Sequence, residues 1–411
     1  MADLQRIQDN LMALAAIGAT PEGGVTRLAW SELEREAHRL VIQWMKEAGL
    51  EVWEDPMGNT FGRRVGSEDL PTIMVGSHLD TVNNGGNLDG TLGVIAGLEL
   101  VRELNKKRLI TRHPITVVAF AAEEAVRFAD TCMGSKIITG AMDREHLDKI
   151  KDEQGITGAE AMKLVGLDPD RIEEAQWDLA KIAAYFELHV EQGLVLEKLG
   201  KQVGVVTAIA AATRYRVTLT GSADHSGATP MGARKDALCA ASEIVLGIER
   251  IASSEAGPTT VGTVGIMKVQ PGAMTVIPGQ VELGIDIRDT VPEAKQVASE
   301  KIVAMIEDVC RRRNIGLNLV KLLDDVPAVM SPTVIEAIKN SAERLGYSYH
   351  MMPSAAGHDA RIMGFVTQTG MVFVPSRAGI SHSPKEWTDP EDILAGINVM
   401  VEAVQEADRV L

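Results

Sequence analysis

Four apolar runs each lead into side chains of metal-ligand type. VGSHLD carries His78 and Asp80, AAEE carries Glu123 and Glu124, and ELHVEQG carries His189. The run GMVFVPS leads through a short loop to GISHSP, with His382. Between the first two lies NNGGNLDG, whose glycines permit a tight loop that turns Asp89 inward. Three imidazoles, a carboxylate able to bridge and a second carboxylate suit a pair of divalent ions. The sequence assigns His78, Asp89 and His189 to one ion, and Asp89, Glu124 and His382 to the other. Asp80, two residues beyond His78, is placed to accept its free ring N–H. On an extended backbone Glu123 points away from Glu124, so it can take a proton from water and return it to a leaving nitrogen.

Taken singly, each residue has an ordinary reading. A histidine after a strand is a polar loop residue, and Glu123–Glu124 are surface acids. Asp80 caps a helix or turn, and Asp89 before a glycine is a turn residue. Their joint placement at strand ends favours the ligand reading, because open α/β sheets bind at the carboxyl ends of their strands. Ser226 and Ser381 also stand near histidines, but no GxSxG elbow supports a serine nucleophile.

The elements that must position these groups are legible from periodicity. Residues 31–48 and 91–105 repeat apolar positions at helical spacing, and 71–77, 114–122, 181–188 and 370–376 read as buried strands. Strands separated by helices predict an α/β domain with a mostly parallel sheet. The middle differs: strands at 214–221, 259–269, 280–289 and 315–322 and helices at 234–252 and 292–313 follow the order β-α-β-β-α-β. That order is ferredoxin-like α+β. The expected organisation is a discontinuous di-metal catalytic domain, 1–207 and 326–411, interrupted by an inserted domain at 208–325. Arg214 opens the first inserted strand, where packing is the ordinary role and a pocket contact the alternative.

Composition narrows the function classes. The 411 residues hold 41 Lys and Arg against 57 Asp and Glu, a formal net charge of −16, and no basic run supplies a nucleic-acid-binding field. No stretch of about 18 consecutive apolar residues offers a membrane span. The N-terminal MADLQRIQDNLMALAAIGA lacks the basic start and apolar core of a secretion signal. Three scattered cysteines, Cys132, Cys239 and Cys310, form neither a CxxC pair nor a disulfide framework, so a cytoplasmic setting is expected.

The stretches GSHLDTVNNGGNLDG, AAEEAVRF, FELHVEQG, DHSGATPMGARKDA, SAAGHDA and PSRAGISHSP together resemble the M20-type ureido amidohydrolases. This family includes N-carbamoyl-L-amino-acid hydrolase, allantoate amidohydrolase, ureidoglycolate amidohydrolase and β-ureidopropionase. The resemblance runs from GGVTRLAW at 23–30 to SHSPKEW at 381–387. It implies two divalent ions per subunit (Zn, Mn, Co or Ni), a small anionic ureido or N-carbamoyl substrate, and a homodimer built through the inserted dimerisation and lid domain. It further implies that His225 reaches the partner's site and stabilises an oxyanion, and that Arg288 holds a substrate carboxylate. Gln192 matches a polar substrate contact, and Gly357 and His358 match a loop lining the pocket. The chain departs from the pattern at Thr275, where relatives carry a substrate-contacting Asn, and at Ala125, where they carry Gly. The expected activity is hydrolysis of N-carbamoyl-L-amino acids to ammonia, carbon dioxide and the amino acid. Allantoate or ureidoglycolate hydrolysis, an aminoacylase or dipeptidase, and a non-catalytic metal-binding assembly protein are the alternatives.

Overall fold

Runs such as TIMVGSH at 72–78 and ITVVAF at 115–120 are buried at every position in the structure, a computed structural model that describes residues 1–411. Burial on both faces removes the polar alternation of a half-exposed strand, which is why these segments read as continuous apolar runs. The chain divides into two compact units: Met1–Thr207 with Val329–Leu411, and Ala208–Ala328.

The larger unit opens with strands β1 (Glu51–Glu54), β2 (Thr60–Arg64), β3 (Thr72–His78), β4 (Ile115–Phe120), β5 (Ile182–Val190) and β6 (Val203–Ile209). The inserted unit carries β7 (Ala211–Thr220), β8 (Val261–Gln270), β9 (Gln280–Asp289) and β10 (Gly316–Asp324). Then follow β11 (Ala328–Val329), β12 (Tyr349–Ser354) and β13 (Gln368–Val374). The large sheet runs β1-β2-β4-β3-β5-β13-β6-β11, with β12 also pairing β6. Its four central strands, β4-β3-β5-β13, are mutually parallel. The margins are antiparallel, at β1/β2, β2/β4 and β13/β6.

Register sets the site. His78 ends β3 opposite Phe120, three residues before Glu123. On the other side, His189 in β5 is level with Phe373 in β13. The helix Thr91–Lys106 begins just beyond Asp89 and buries Leu92, Ile95, Leu98 and Val101 against this sheet's core. Each such side chain contributes about 1.5–3 kcal/mol when fully buried. The ligand-bearing loops therefore rise from a rigid base.

The inserted unit is a four-stranded antiparallel sheet in the order β10-β7-β9-β8. Its helices are Ala237–Ser254 and Pro292–Arg313. It has its own core, including Val217, Leu219, Ile244, Ile248, Leu283, Ile302 and Ile306. At its C-terminal end Asp325 N–H bonds Ala212 O at 3.0 Å and Lys295 grips the Asp325 carbonyl, and the compact unit runs on to Ala328.

Candidate metal centre

Asp89 is the hub of the site. Its Oδ1 lies 3.3 Å from His78 Nε2 and 3.0 Å from His189 Nε2. Its Oδ2 lies 3.1 Å from His382 Nε2, which in turn is 3.4 Å from Glu124 Oε1. Two groups of donors, His78–Asp89–His189 and Asp89–Glu124–His382, each have all their ligand atoms within 4.8 Å of one another. The chemistry of the donors suits cations. His78 Nδ1 is 3.1 Å from the Asp80 carbonyl and His189 Nδ1 is 2.9 Å from the Val190 carbonyl, so Nδ1–H is spent and Nε2 faces Asp89 in both rings. Gly90 makes this approach possible. It has φ +63, and a Cβ there would sit 2.5 Å from the His78 ring. His382 itself is held at φ +54, a strained setting for a side-chain-bearing residue.

The donors also shift one another's pKa values. Burial works to raise the Asp89 pKa, but His189, His382 and His78 outweigh it and hold this carboxyl well below its ordinary value. The same contacts lift the histidines. Burial opposes the charge on His189, yet Asp89 and Glu187 bring its pKa up to about 9. His78 is raised well above its ordinary value by Asp80 and Asp89 against its own burial. For His382, the Asp89 bond is the main cause of a rise. Burial, with Asp89 and Glu123 nearby, pushes Glu124 well up.

Glu123 is buried, 6% exposed. Its Oε1 accepts the Cys132 thiol at 3.2 Å and its Oε2 lies 3.9 Å from His78 Nε2. Burial raises its pKa, with His78 opposing and Asp80 adding to the rise. A buried base with a raised pKa holds a proton better than a surface carboxylate would.

Asp80 does more than pair with His78. Its Oδ1 and Oδ2 accept the backbone N–H of Glu123 and Glu124 at 3.0 and 2.8 Å. The carboxylate stands 3.4 Å from His78 Nδ1, farther than the main-chain carbonyl of Asp80 itself. The His358–Gly357 pair also divides. Gly357 is exposed, but His358 is 2% exposed, meets the His189 ring edge-on at 4.5 Å and bonds Ser354 Oγ at 2.8 Å. The His358 ring packs between those of His189 and Phe373. A third donor group, Glu187–His189–His358, has this supporting character. Glu187 already accepts from Ser77 Oγ, Tyr185 OH and Ala360 N–H.

Gln192, at φ +58, donates from Nε2 to Asp89 Oδ2 at 2.7 Å, while its Oε1 is shielded and has no hydrogen-bond partner. Two other contributors had little signal in the sequence. Cys132 carries no motif at all. Glu386 lies four residues after His382 in SHSPKEW, and only that proximity could have marked it. Its carboxylate accepts Leu88 N–H, Asp89 N–H and Ser381 Oγ at 2.9, 3.2 and 2.6 Å, tying the two ligand loops together.

The remaining candidates belong to the inserted unit. His225 Nδ1 accepts the N–H groups of Gly227 and Ala228 at 3.0 and 3.2 Å, so its ring proton is on Nε2. Val276 bridges to His225, and Ser226 N–H bonds Thr275 O at 3.0 Å, so Thr275 and His225 are neighbours. Arg214 and Arg288 both pair with Asp286, each at 2.8 Å, and this lowers the Asp286 pKa despite its burial. Arg214 is therefore a surface ion-pair partner, not a packed strand residue.

The fold and this clustering describe a hydrolase of the di-metal peptidase type, and a family model described as "Peptidase family M20/M25/M40" matches residues 74–406. The chain belongs to that family and is an amidohydrolase acting on linear amides, of the ureido class. It is similar to the N-carbamoyl-L-amino acid amidohydrolase of Geobacillus stearothermophilus, with 43% identity over 401 residues and 97% of each chain covered. The allantoate amidohydrolase of Escherichia coli is 35% identical over 399 residues, covering 96% of each. Among solved structures, an amidase of the hydantoinase/carbamoylase family from Burkholderia multivorans matches with a TM-score of 0.92 and 37% identity, covering 99% of this chain and 98% of that one.

Proposed function

We propose that this chain hydrolyses the ureido C–N bond of N-carbamoyl-L-amino acids. One water is consumed, and ammonia, carbon dioxide and the L-amino acid are released. The observation that supports this most is a pair of donor triads sharing Asp89, with Glu123 beside them. The similarity to a named N-carbamoyl-L-amino acid amidohydrolase points to the substrate class. His78, Asp89 and His189 would hold one divalent ion and Asp89, Glu124 and His382 the other, with Zn, Mn, Co or Ni suiting the donors. When bound, such ions polarise the carbonyl and acidify water.

The protein's own groups do the rest. A ureido carbonyl is a poor electrophile because two nitrogens donate into it, so charge developing on its oxygen must be met. The Nε2–H of His225, fixed by its Nδ1 contacts, is the donor we assign to that oxygen. Glu123 takes the proton from water and passes it to the leaving nitrogen. Gln192 Oε1 accepts a substrate N–H, and Arg288 exchanges its Asp286 contact for the substrate carboxylate. Asp80 keeps Glu123 and Glu124 in register by its two amide contacts. We assign the inserted unit the role of lid and dimerisation domain, and the enzyme to the cytoplasm.

Allantoate or ureidoglycolate hydrolysis is the second reading, supported by the similarity to an allantoate amidohydrolase. An ammonia-release screen of metal-loaded protein decides between them. It compares several N-carbamoyl-L-amino acids with allantoate, ureidoglycolate, N-carbamoyl-β-alanine and N-acetyl-amino acids. Preference for the first group supports the proposal, and turnover confined to allantoate replaces it.

A further inference from the structure

Beyond Phe120 the chain leaves β4, and its next four amides belong to no helix or strand. Buried N–H groups without acceptors are costly, so each must be met by something. Each meets a buried side chain. Ala121 N–H donates to Asn59 Oδ1 at 2.9 Å, and Ala122 N–H to Glu34 Oε1 at 2.9 Å. Glu123 and Glu124 N–H go to Asp80, as described. The carbonyls of Ala121, Ala122 and Glu123 accept from Gly134, Met133 and Cys132 at 3.0, 2.9 and 2.8 Å. Within this frame Ala122 is held at φ +58, a left-handed conformation that strains a residue with a Cβ. The frame must impose it.

We propose that Glu34 and Asn59 are positioning residues for hydrolysis: by gripping the Ala122 and Ala121 amides they aim the Glu123 carboxylate. This rests on Glu123 acting as the base. The ordinary role for Glu34 is helix capping, since Ser31 and Glu34 have the spacing of a capping pair and Glu34 N–H does bond Ser31 Oγ at 3.2 Å. The side chain does more than cap. One oxygen accepts Trp30 N–H at 2.6 Å, while the other leaves the helix altogether for Ala122. Asn59 is equally committed, with Nδ2 fixed by Asp55 Oδ2 at 2.8 Å so that Oδ1 must face Ala121. Asn59, Glu34 and Asp80 are all 0% exposed. They come from three separate segments, yet the amides they accept from are the four consecutive ones of residues 121–124.

Steady-state kinetics of metal-loaded Glu34→Leu, Glu34→Gln and Asn59→Ser test this, with N-carbamoyl-L-methionine as the probe or, if that is not turned over, the best substrate of the screen above. Metal content per chain and the thermal midpoint are read alongside. Glu34→Leu is expected to lower kcat by at least about tenfold with KM within about twofold, as small misplacements of catalytic groups do. Glu34→Gln keeps one oxygen for the two N–H groups of Trp30 and Ala122, so its kcat is expected between that of Glu34→Leu and wild type. If Glu34→Leu fails to fold, Asn59→Ser carries the same kcat expectation. Folded variants at both positions with unchanged kcat overturn the proposal. Glu123→Gln serves as the control. If it retains turnover, the assignment of the base is wrong and the proposal falls with it. If it abolishes turnover while Glu34→Leu and Asn59→Ser do not, only the positioning role is lost.

Discussion

At the scale of single residues, the site is held by contacts between distant segments: Asp80 receives two amides from a loop more than forty residues away, and His358 packs behind His189. Glu123 carries the sharpest residue-level prediction. Glu123→Gln should lower kcat by about 10²–10⁴-fold, the usual range for a general base, while metal content by elemental analysis stays at the wild-type level. Retained turnover would remove Glu123 from the mechanism.

Titration gives a second residue-level outcome. His189 has its pKa raised to about 9 in the metal-free chain, so below that pH it binds a proton that an ion must displace. Metal affinity should therefore climb as pH rises towards about 9, with proton release detectable by calorimetry in buffers of different ionisation enthalpy. The sign for stability of the metal-free chain is opposite. The raised pKa contributes stability that is complete below the ordinary histidine value of about 6.5 and is lost as pH rises through about 9. The thermal midpoint of metal-free protein should fall across that window. A midpoint that rises there would mean that the Asp89 contact does not govern His189.

At the scale of elements, strands and helices with one strong period were legible, and the margins were not. The sequence marked β3, β4, β5 and β13 because burial on both faces makes them continuous apolar runs. The strand β1, EVWE, is mostly exposed, and β11 is two residues long, so neither carries a periodic signal. The antiparallel margins of the sheet thus escaped the expectation of a mostly parallel one. The glycines of the loop before the helix Thr91–Lys106 signal a tight turn, and the left-handed backbone among them falls on Gly90. Gly90→Ala places a methyl against the His78 ring at a left-handed φ. Stability should fall by more than the roughly 1 kcal/mol typical of a point substitution, and metal binding should weaken with it. Thermal denaturation and metal titration check both, and unchanged affinity would show that the loop can move without disturbing the ligands.

For the whole molecule, the β-α-β-β-α-β order alone defined the insert, because each of its elements has a clear period and a core of its own. What the insert does is a separate question, and its edge offers the physical argument. β8 lies at the end of the four-stranded sheet, with Ile266 48% and Met267 42% exposed. An apolar edge strand left bare invites pairing with another chain. A homodimer through this edge would protect it, and sedimentation of Met267→Lys should then show a shift towards monomer. If the dimer also brings His225 of one chain to the site of the other, two inactive variants should repair each other. In a mixed dimer of Glu123→Gln and His225→Ala, one site has both residues altered and the other has both intact. Random reassortment of equal amounts gives half mixed dimers with one working site each, so activity should return to about a quarter of wild type. If His225 serves its own chain, every site in the mixture lacks one group or the other, and mixing restores nothing.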